Sequence, residues 1–385
     1  MNKENKLVGI VSYNIYSQHM NYGAVLHSFA FQQYLIKKGV DSVVLCYIPK
    51  KLNNYHLKYP ILNVNRIKSL KGFIIFLVNW GIGFFSNLRK YKKFQRFFRE
   101  KLRKTSLTYR FKDLMKLNSI ENFEFTVFVC ESDVIWKLYS ENDFDECFFL
   151  KFPAAEGQKK VAYSPSLSSR KFTVAETKKF VSLVSDFIAI STREAQTAAY
   201  LSSILNHNVE WVLDPTLLLD KADYDKIAIV PKEDGYVLLY NCMIDDHRMI
   251  KEARKFASRR GIQLIEVSNF YINKFVYNHR TKTDIGIEEF LGYIKNADFV
   301  ICNAFHGMCF SVIFKKQFFL FQRDESDYRM QNITEALGLQ SRLISHTNKQ
   351  IPSKYDDIDY EEVYANLEVH RKRSYDFIDE NIVNI

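Results

Sequence analysis

Short apolar strands that each end in a polar turn and then a helix recur along this chain, and few folds accommodate that pattern. Lys6–Tyr13 reads as a buried strand, Asn21-Tyr22-Gly23 as a loop, Ala24–Lys38 as a helix closed by Gly39, and Asp41–Ile48 as a strand stopped by Pro49. Val25, Leu26, Phe29, Phe31 and Leu35 fall on or near one face of that helix. Such an opening starts a parallel, doubly wound sheet. The segment Asn53–Tyr109 interrupts the alternation. It resumes with strands at Thr126–Cys130 and near Lys160–Ser164, a helix around Val174–Val184, a strand at Phe187–Ser191, a helix at Arg193–Leu205 and a short strand at Val209–Val212. Beyond a linker placed near Ala222–Glu233 the theme repeats, with strands at Tyr236–Asn241, Gln263–Val267, Phe299–Cys302 and Phe318–Phe321. Helices at His247–Arg259, Ile287–Lys295 and Gly307–Phe314 separate them.

At 385 residues the chain is too long for one compact core. The expected fold class is therefore α/β, with two Rossmann-like lobes in a glycosyltransferase-B-like arrangement. The N-terminal lobe covers 1–221, with a variable basic and aromatic insertion at 53–110. The C-terminal lobe covers 222–355, and a helix in 356–385 is expected to pack back on the first lobe. The six cysteines form no C-x-x-C pair, so a zinc ribbon or redox dithiol is not expected; buried free thiols in a reducing cytosol are. Met1–Lys6 lacks a signal-peptide core, and no apolar run reaches the roughly 18 residues that span a bilayer.

Two strand-to-helix turns carry the chemistry. The first is Ala297–Gly307, where a buried strand runs into Asn303-Ala304-Phe305-His306-Gly307. Ligands of open α/β sheets bind at the carboxyl ends of strands, and a helix start offers free N–H groups to an anion. Gly307 would let a ligand approach the backbone, and His306 could donate to an anion or pass a proton near neutral pH. A helix-capping histidine is the other reading of the same residues. The second turn is Ile188–Glu194, where Ser191 or Thr192 can cap and Glu194 suits the first helical turn. Arg193 is needed for neither job. It reads as a fork for carboxylate or phosphate, or as a surface arginine paired with an acid. Asn21-Tyr22-Gly23 and Glu131-Ser132-Asp133, with Trp136 behind, would open on the same sheet edge, Asp133 as a base for a hydroxyl. Asp214-Pro215-Thr216 reads as a structural turn, and Asp324–Arg329 adds charge after the strand at Phe318–Phe321. Metal-ligand spacing is absent.

Together these motifs resemble the polysaccharide pyruvyltransferase family. The resemblance runs from Asn21-Tyr22-Gly23-Ala24 through Glu131-Ser132-Asp133-Val134-Ile135-Trp136, Ala162–Ser166, Ser191-Thr192-Arg193-Glu194 and Asp214–Leu218 to Phe305-His306-Gly307 and Arg329. It implies phosphoenolpyruvate as donor, with no further cofactor and no metal, and pyruvate set as a ketal across two hydroxyls of a sugar. Galactose, in a surface polysaccharide or its lipid-linked precursor, is the acceptor considered. His306 and Arg193 are the implied catalytic pair, for donor binding and proton transfer. Asn21, Tyr22, Gly23, Ser132, Asp133, Asn303, Phe305, Gly307 and Arg329 are the expected substrate-binding residues. Two departures stand out: Ala304 replaces the usual serine before Phe-His, and Glu131 the usual glycine before Ser-Asp.

A nucleotide-sugar-dependent glycosyltransferase of the same fold is the main alternative. A non-catalytic relative, or a nucleic-acid-binding protein, is another. The latter would use the nine basic residues between Arg89 and Lys104, part of a net charge of +10. The aromatics among them sit at helical spacing and are needed for packing, so nucleic acid is not the expected partner. The segment Phe73–Lys104 has two readings: peripheral docking on the inner face of the cell membrane, or packing against the first lobe with a solvated charged face. The expected location is the cytoplasm.

Overall fold

The computed structural model describes residues 6–14, 20–52, 58, 70–138, 140, 143–167, 171–242, 246–323, 328–348 and 350–385. The N-terminal lobe contains strands β1 (Leu7–Val11), β2 (Asp41–Val44), β3 (Val127–Glu131), β4 (Lys159–Tyr163), β5 (Phe187–Thr192) and β6 (Glu210–Trp211). Its helices are α1 (Tyr22–Lys37), α2 (Leu70–Lys101), α3 (Leu117–Glu121), α4 (Val174–Val184) and α5 (Ala195–Leu205). The short α6 (Lys221–Asp225) leads to the second lobe, built on β7 (Tyr236–Asn241), β8 (Gln263–Ser268), β9 (Arg280–Lys282), β10 (Phe299–Cys302), β11 (Gln317–Phe321) and β12 (Leu343–Ile344). Helices α7 (His247–Arg260), α8 (Asn273–Val276), α9 (Ile287–Asn296), α10 (Phe305–Ile313) and α11 (Tyr328–Ala336) accompany them, and α12 (Tyr360–Ile378) follows.

Among the described residues each lobe holds one six-stranded sheet, ordered β2-β1-β3-β4-β5-β6 and β12-β11-β10-β7-β8-β9. Every recorded pairing is parallel. Parallel strands need covering on both faces, and β1, β3, β7 and β10 are accordingly apolar and buried throughout or nearly so. In both lobes the strands run toward the seam, so their carboxyl ends face one another there.

The lobes are fastened together at several points. Helix α12 leaves the second lobe, where the Tyr364 hydroxyl donates to Ile313 O at 3.1 Å, and crosses to the first. There Arg371 donates to Leu217 O and Leu219 O, Ser374 accepts from Leu213 N, and Tyr375 stacks on Tyr34. Helix α2, in the basic insertion, lies against α9. Arg89 pairs with Asp284 at 2.6 Å, Lys93 with Glu289 at 2.7 Å and Arg96 with Glu288 at 2.5 Å. Lys90 is buried, donating to Asn269 at 2.6 Å and lying 4.5 Å from the Tyr22 ring centre. Burial, with Cys242 acting in the other direction, lowers its pKa to about 7. Four of the nine basic residues are thus turned to the second lobe, so the stripe is not one solvated face. Of the apolar residues considered for membrane contact, Phe73 and Leu77 are exposed, and the side chains of Ile74, Ile75, Phe76 and Trp80 lie outside the described residues. No helix among the described residues is long and apolar enough to cross a membrane.

Candidate active site

His306 is the second residue of α10, directly after β10 and the extended Ala304. It is 8% exposed. Its position depends on a glycine in the other lobe: a Cβ on Gly23, in the first turn of α1, would lie 2.0 Å from His306 Nδ1. Asn21 caps α1 by accepting from Gly23 N at 3.0 Å. The motif Asn21-Tyr22-Gly23 therefore makes a flat helix start against which the imidazole rests. Tyr22 is turned into the seam, stacked on Phe290 at 4.4 Å and donating to Ile285 O at 3.3 Å.

Arg193 stands between β5 and α5, and its backbone carbonyl accepts from Trp211 Nε1 at 3.0 Å. The guanidinium is buried, with NH1 donating to Asp214 Oδ2 at 2.8 Å. Its NH2 is 3.9 Å from Asp133, its Nε is 3.6 Å from Glu194, and its carbon lies 4.8 Å from the Phe305 ring centre. Burial opposes its charge, but Asp214, Glu194 and Asp133 outweigh burial and raise its pKa further, so the group stays a cation. The expected caps for α5 are not the ones used. Ser191 donates to Ala162 O and accepts from Ser164 N, and Thr192 donates to Glu194 O, because β5 runs on through Thr192. The first N–H of α5, at Ala195, is met instead by Asn332 Oδ1 of α11 at 2.7 Å, from the other lobe.

Asp214 joins these parts. Its Oδ1 caps the following turn, accepting from Thr216 N and Oγ1 at 3.0 and 2.7 Å. Its Oδ2 accepts from Ser132 Oγ at 2.9 Å and Arg193 NH1 at 2.8 Å, and lies 3.6 Å from His306 Nε2. The expected turn is present, yet the same carboxylate is the hub of the site. Burial would raise its pKa; His306 and Arg193 more than reverse that and hold it well below the usual carboxylate range. Ser132 and Asp133 both have positive φ, 48° and 59°, a strained turn of the kind that collects at functional sites. Asp133 is also held strongly ionised, since His27 and Arg193 overcome its desolvation. So depressed a carboxyl accepts a hydrogen bond well and a proton poorly, which does not favour its expected role as a base.

The structure thus brings together His306, Arg193, Phe305, Ser132, Asp133 and Gly23. Gly307 faces away, toward β7 and β10: a Cβ there would be 2.8 Å from Tyr240 and 3.0 Å from Cys302 Cβ. Asn303 accepts from Cys242 N at 2.9 Å and so ties β10 to β7. Arg329 is half-buried in the first turn of α11, where its charge acts on Glu194. Asp324–Asp327 lie outside the described residues. Four further residues enter that were not picked out for the site: Asp214, Glu194, His27 and Lys137. Burial raises the Glu194 pKa despite Arg193 beside it. Burial and the charges of Lys51 and Arg329 lower that of Lys137. Glu194 could have been found from its place beside Arg193. His27, inside an apolar helix run, gave no signal.

Several buried polar atoms here have no hydrogen-bond partner: Arg193 Nε and NH2, His306 Nε2, His27 Nε2 and both Glu194 carboxylate oxygens. Such atoms are costly unless something completes them, and their gathering makes this seam the candidate ligand site.

No curated protein matches the sequence. Among solved structures, the UDP-GlcNAc 2-epimerase of Methanocaldococcus jannaschii has a TM-score of 0.51 at 13% identity, covering 95% of this chain and 92% of that one. S. aureus MnaA in its UDP co-structure gives 0.49 at 12% identity, covering 98% and 91%. Acinetobacter baumannii MurG gives 0.42 at 9%, covering 96% and 93%. At 13% identity the likeness to the Methanocaldococcus jannaschii epimerase concerns the fold alone, two parallel-sheet α/β lobes of the glycosyltransferase-B type. The family model for polysaccharide pyruvyl transferase matches residues 21–325, a span that holds His306, Arg193, Asp214 and the strained Ser132-Asp133 turn. With most of both lobes and the seam residues inside the matched span, the chain belongs to the polysaccharide pyruvyl transferase family.

Proposed function

We propose that the chain transfers the enolpyruvyl group of phosphoenolpyruvate onto two hydroxyls of a sugar in a surface polysaccharide or its lipid-linked precursor, as a ketal. The observation that carries this is the set of buried nitrogens without a hydrogen-bond partner on Arg193, after β5, and on His306, at the start of α10. A small anion with a carboxylate and a phosphate supplies acceptors for such nitrogens. The like charges around Lys137 add cationic character beside Asp133.

In the reaction, C3 of phosphoenolpyruvate takes a proton, one sugar hydroxyl adds to C2, the C2–O bond to phosphate breaks, and the second hydroxyl closes the ketal. Of the two hydroxyl protons released, one replaces that delivered to C3 and the other leaves with phosphate. Asp214 raises the Arg193 pKa, which supports Arg193 as the fixed cation on the leaving phosphate rather than the proton donor. His306 Nε2 is then the group that passes the proton, and Asp133 accepts a hydrogen bond from the attacking hydroxyl. Phosphorus NMR tests this directly. With phosphoenolpyruvate and surface glycan freed of acid-labile ketals, inorganic phosphate is expected to appear only when glycan is present. Consumption of a nucleotide sugar in place of phosphoenolpyruvate would refute the assignment.

A further inference from the structure

Directly beneath the site lies an ion pair that the mechanism above does not use. His27, in the second turn of α1, and Glu131, the last residue of β3, are both fully buried. His27 Nδ1 is 2.9 Å from Glu131 Oε1 and 3.0 Å from Oε2, and Ser28 Oγ donates to the same carboxylate at 3.1 Å. The other ring nitrogen, Nε2, is enclosed without a hydrogen-bond partner and points to Asp133 Oδ2, 3.9 Å away. On its remaining side the ring stacks on His306, with centres 6.0 Å apart. The groups facing His27 are therefore Glu131, Asp133, Ser28 and His306, with the Asp214 carboxylate also within reach of its charge.

We propose that the His27–Glu131 pair is the positioning device for the acceptor side of this site: Glu131 holds the imidazolium from below, and its Nε2–H fixes Asp133 as the carboxylate that orients the attacking sugar hydroxyl. This rests on the function proposed above. A buried ion pair adds little net stability over apolar side chains of the same size, so stability does not account for it. What it supplies is a fixed charge. Burial opposes that charge, but Glu131, with help from Asp133, lifts the His27 pKa to about 10. Asp133 needs such a partner because its turn leaves it few others. Its Oδ1 accepts from Val134 N at 2.7 Å, while Oδ2 sits between His27 and the cleft, with the side chain 18% exposed. Closing the gap to about 2.8 Å would complete His27 Nε2 and set the carboxylate in one orientation. Glu131 is also the departure from the Gly-Ser-Asp pattern noted in the sequence, and a glycine there could not hold His27 charged. His27 touches no reacting atom in this scheme and is a positioning residue.

The test uses the full chain and a double variant, His27→Gln with Glu131→Gln, which removes both charges together and leaves no buried ion alone. With phosphoenolpyruvate and ketal-stripped surface glycan, the double variant is expected to raise KM for glycan by about tenfold or more while KM for phosphoenolpyruvate stays within about threefold. Adding Asp133→Asn should raise KM for glycan no further, because the pair acts through that carboxylate. Nitrogen NMR of labelled histidines gives a readout independent of turnover: His27 should be doubly protonated at about pH 8.5, well above the ordinary histidine range. A singly protonated His27 at that pH, or an unchanged KM for glycan in an active double variant, overturns the positioning role alone. A wild-type chain that releases no phosphate removes the functional reading, and the acceptor role with it.

Discussion

His306→Ala is expected to lower turnover by roughly a hundred- to ten-thousand-fold, the range for loss of a positioned general acid. The fold should survive, because Asp214 keeps its bonds to Arg193, Ser132 and Thr216 without the imidazole. The truncation also empties the space above Gly23, so no clash is introduced. Phosphate release measured beside the melting temperature separates the two effects. A folded variant with near-normal turnover would take His306 out of the proton transfer.

The largest effect on stability is expected at Asp214. Asp214→Ala strands a buried guanidinium and should cost about 3–5 kcal/mol, as for breaking a buried pair from one side. Asp214→Asn keeps an acceptor for Ser132 and Thr216 and should cost less. The same carboxylate sets the acid limit. Asp214 and Asp133 both have folded pKa values depressed below their unfolded values. Their contribution is present above the unfolded carboxylate pKa of about 3.9 and is lost as pH falls through the folded values. Denaturant unfolding at neutral and acidic pH checks both points. A loss in Asp214→Ala of less than about 1 kcal/mol would mean the Arg193 charge is met elsewhere.

Much of this was legible because strand and helix periods are local properties. The succession of strand, turn and helix and the placing of His306 and Arg193 after strand ends follow from apolar patterning and turn residues; the return of the last helix to the first lobe was expected from the two-lobed fold class. The hub at Asp214 was not legible as such. Asp-Pro-Thr announces a turn, and nothing nearby shows that the second oxygen of Asp214 reaches Ser132 and Arg193, 82 and 21 residues away. The cap of α5 by Asn332 and the fit of His306 on Gly23 are equally long-range, since each joins one lobe to the other. The basic stripe misled for a related reason. The acids Asp284, Glu288 and Glu289, which pair with Arg89, Arg96 and Lys93, stand nearly 200 residues further on, so part of a charge that looked unpaired along the chain is paired in the fold.

The central claim is that Arg193 and His306 hold a small phosphorylated anion between the lobes. Isothermal titration of the purified chain with phosphoenolpyruvate tests it most directly. One saturable site is expected in the wild type, strongly weakened in Arg193→Lys, because an ammonium cannot reproduce the two-pronged fork. No phosphoenolpyruvate binding at millimolar concentration, together with tight binding of a nucleotide sugar, would contradict it.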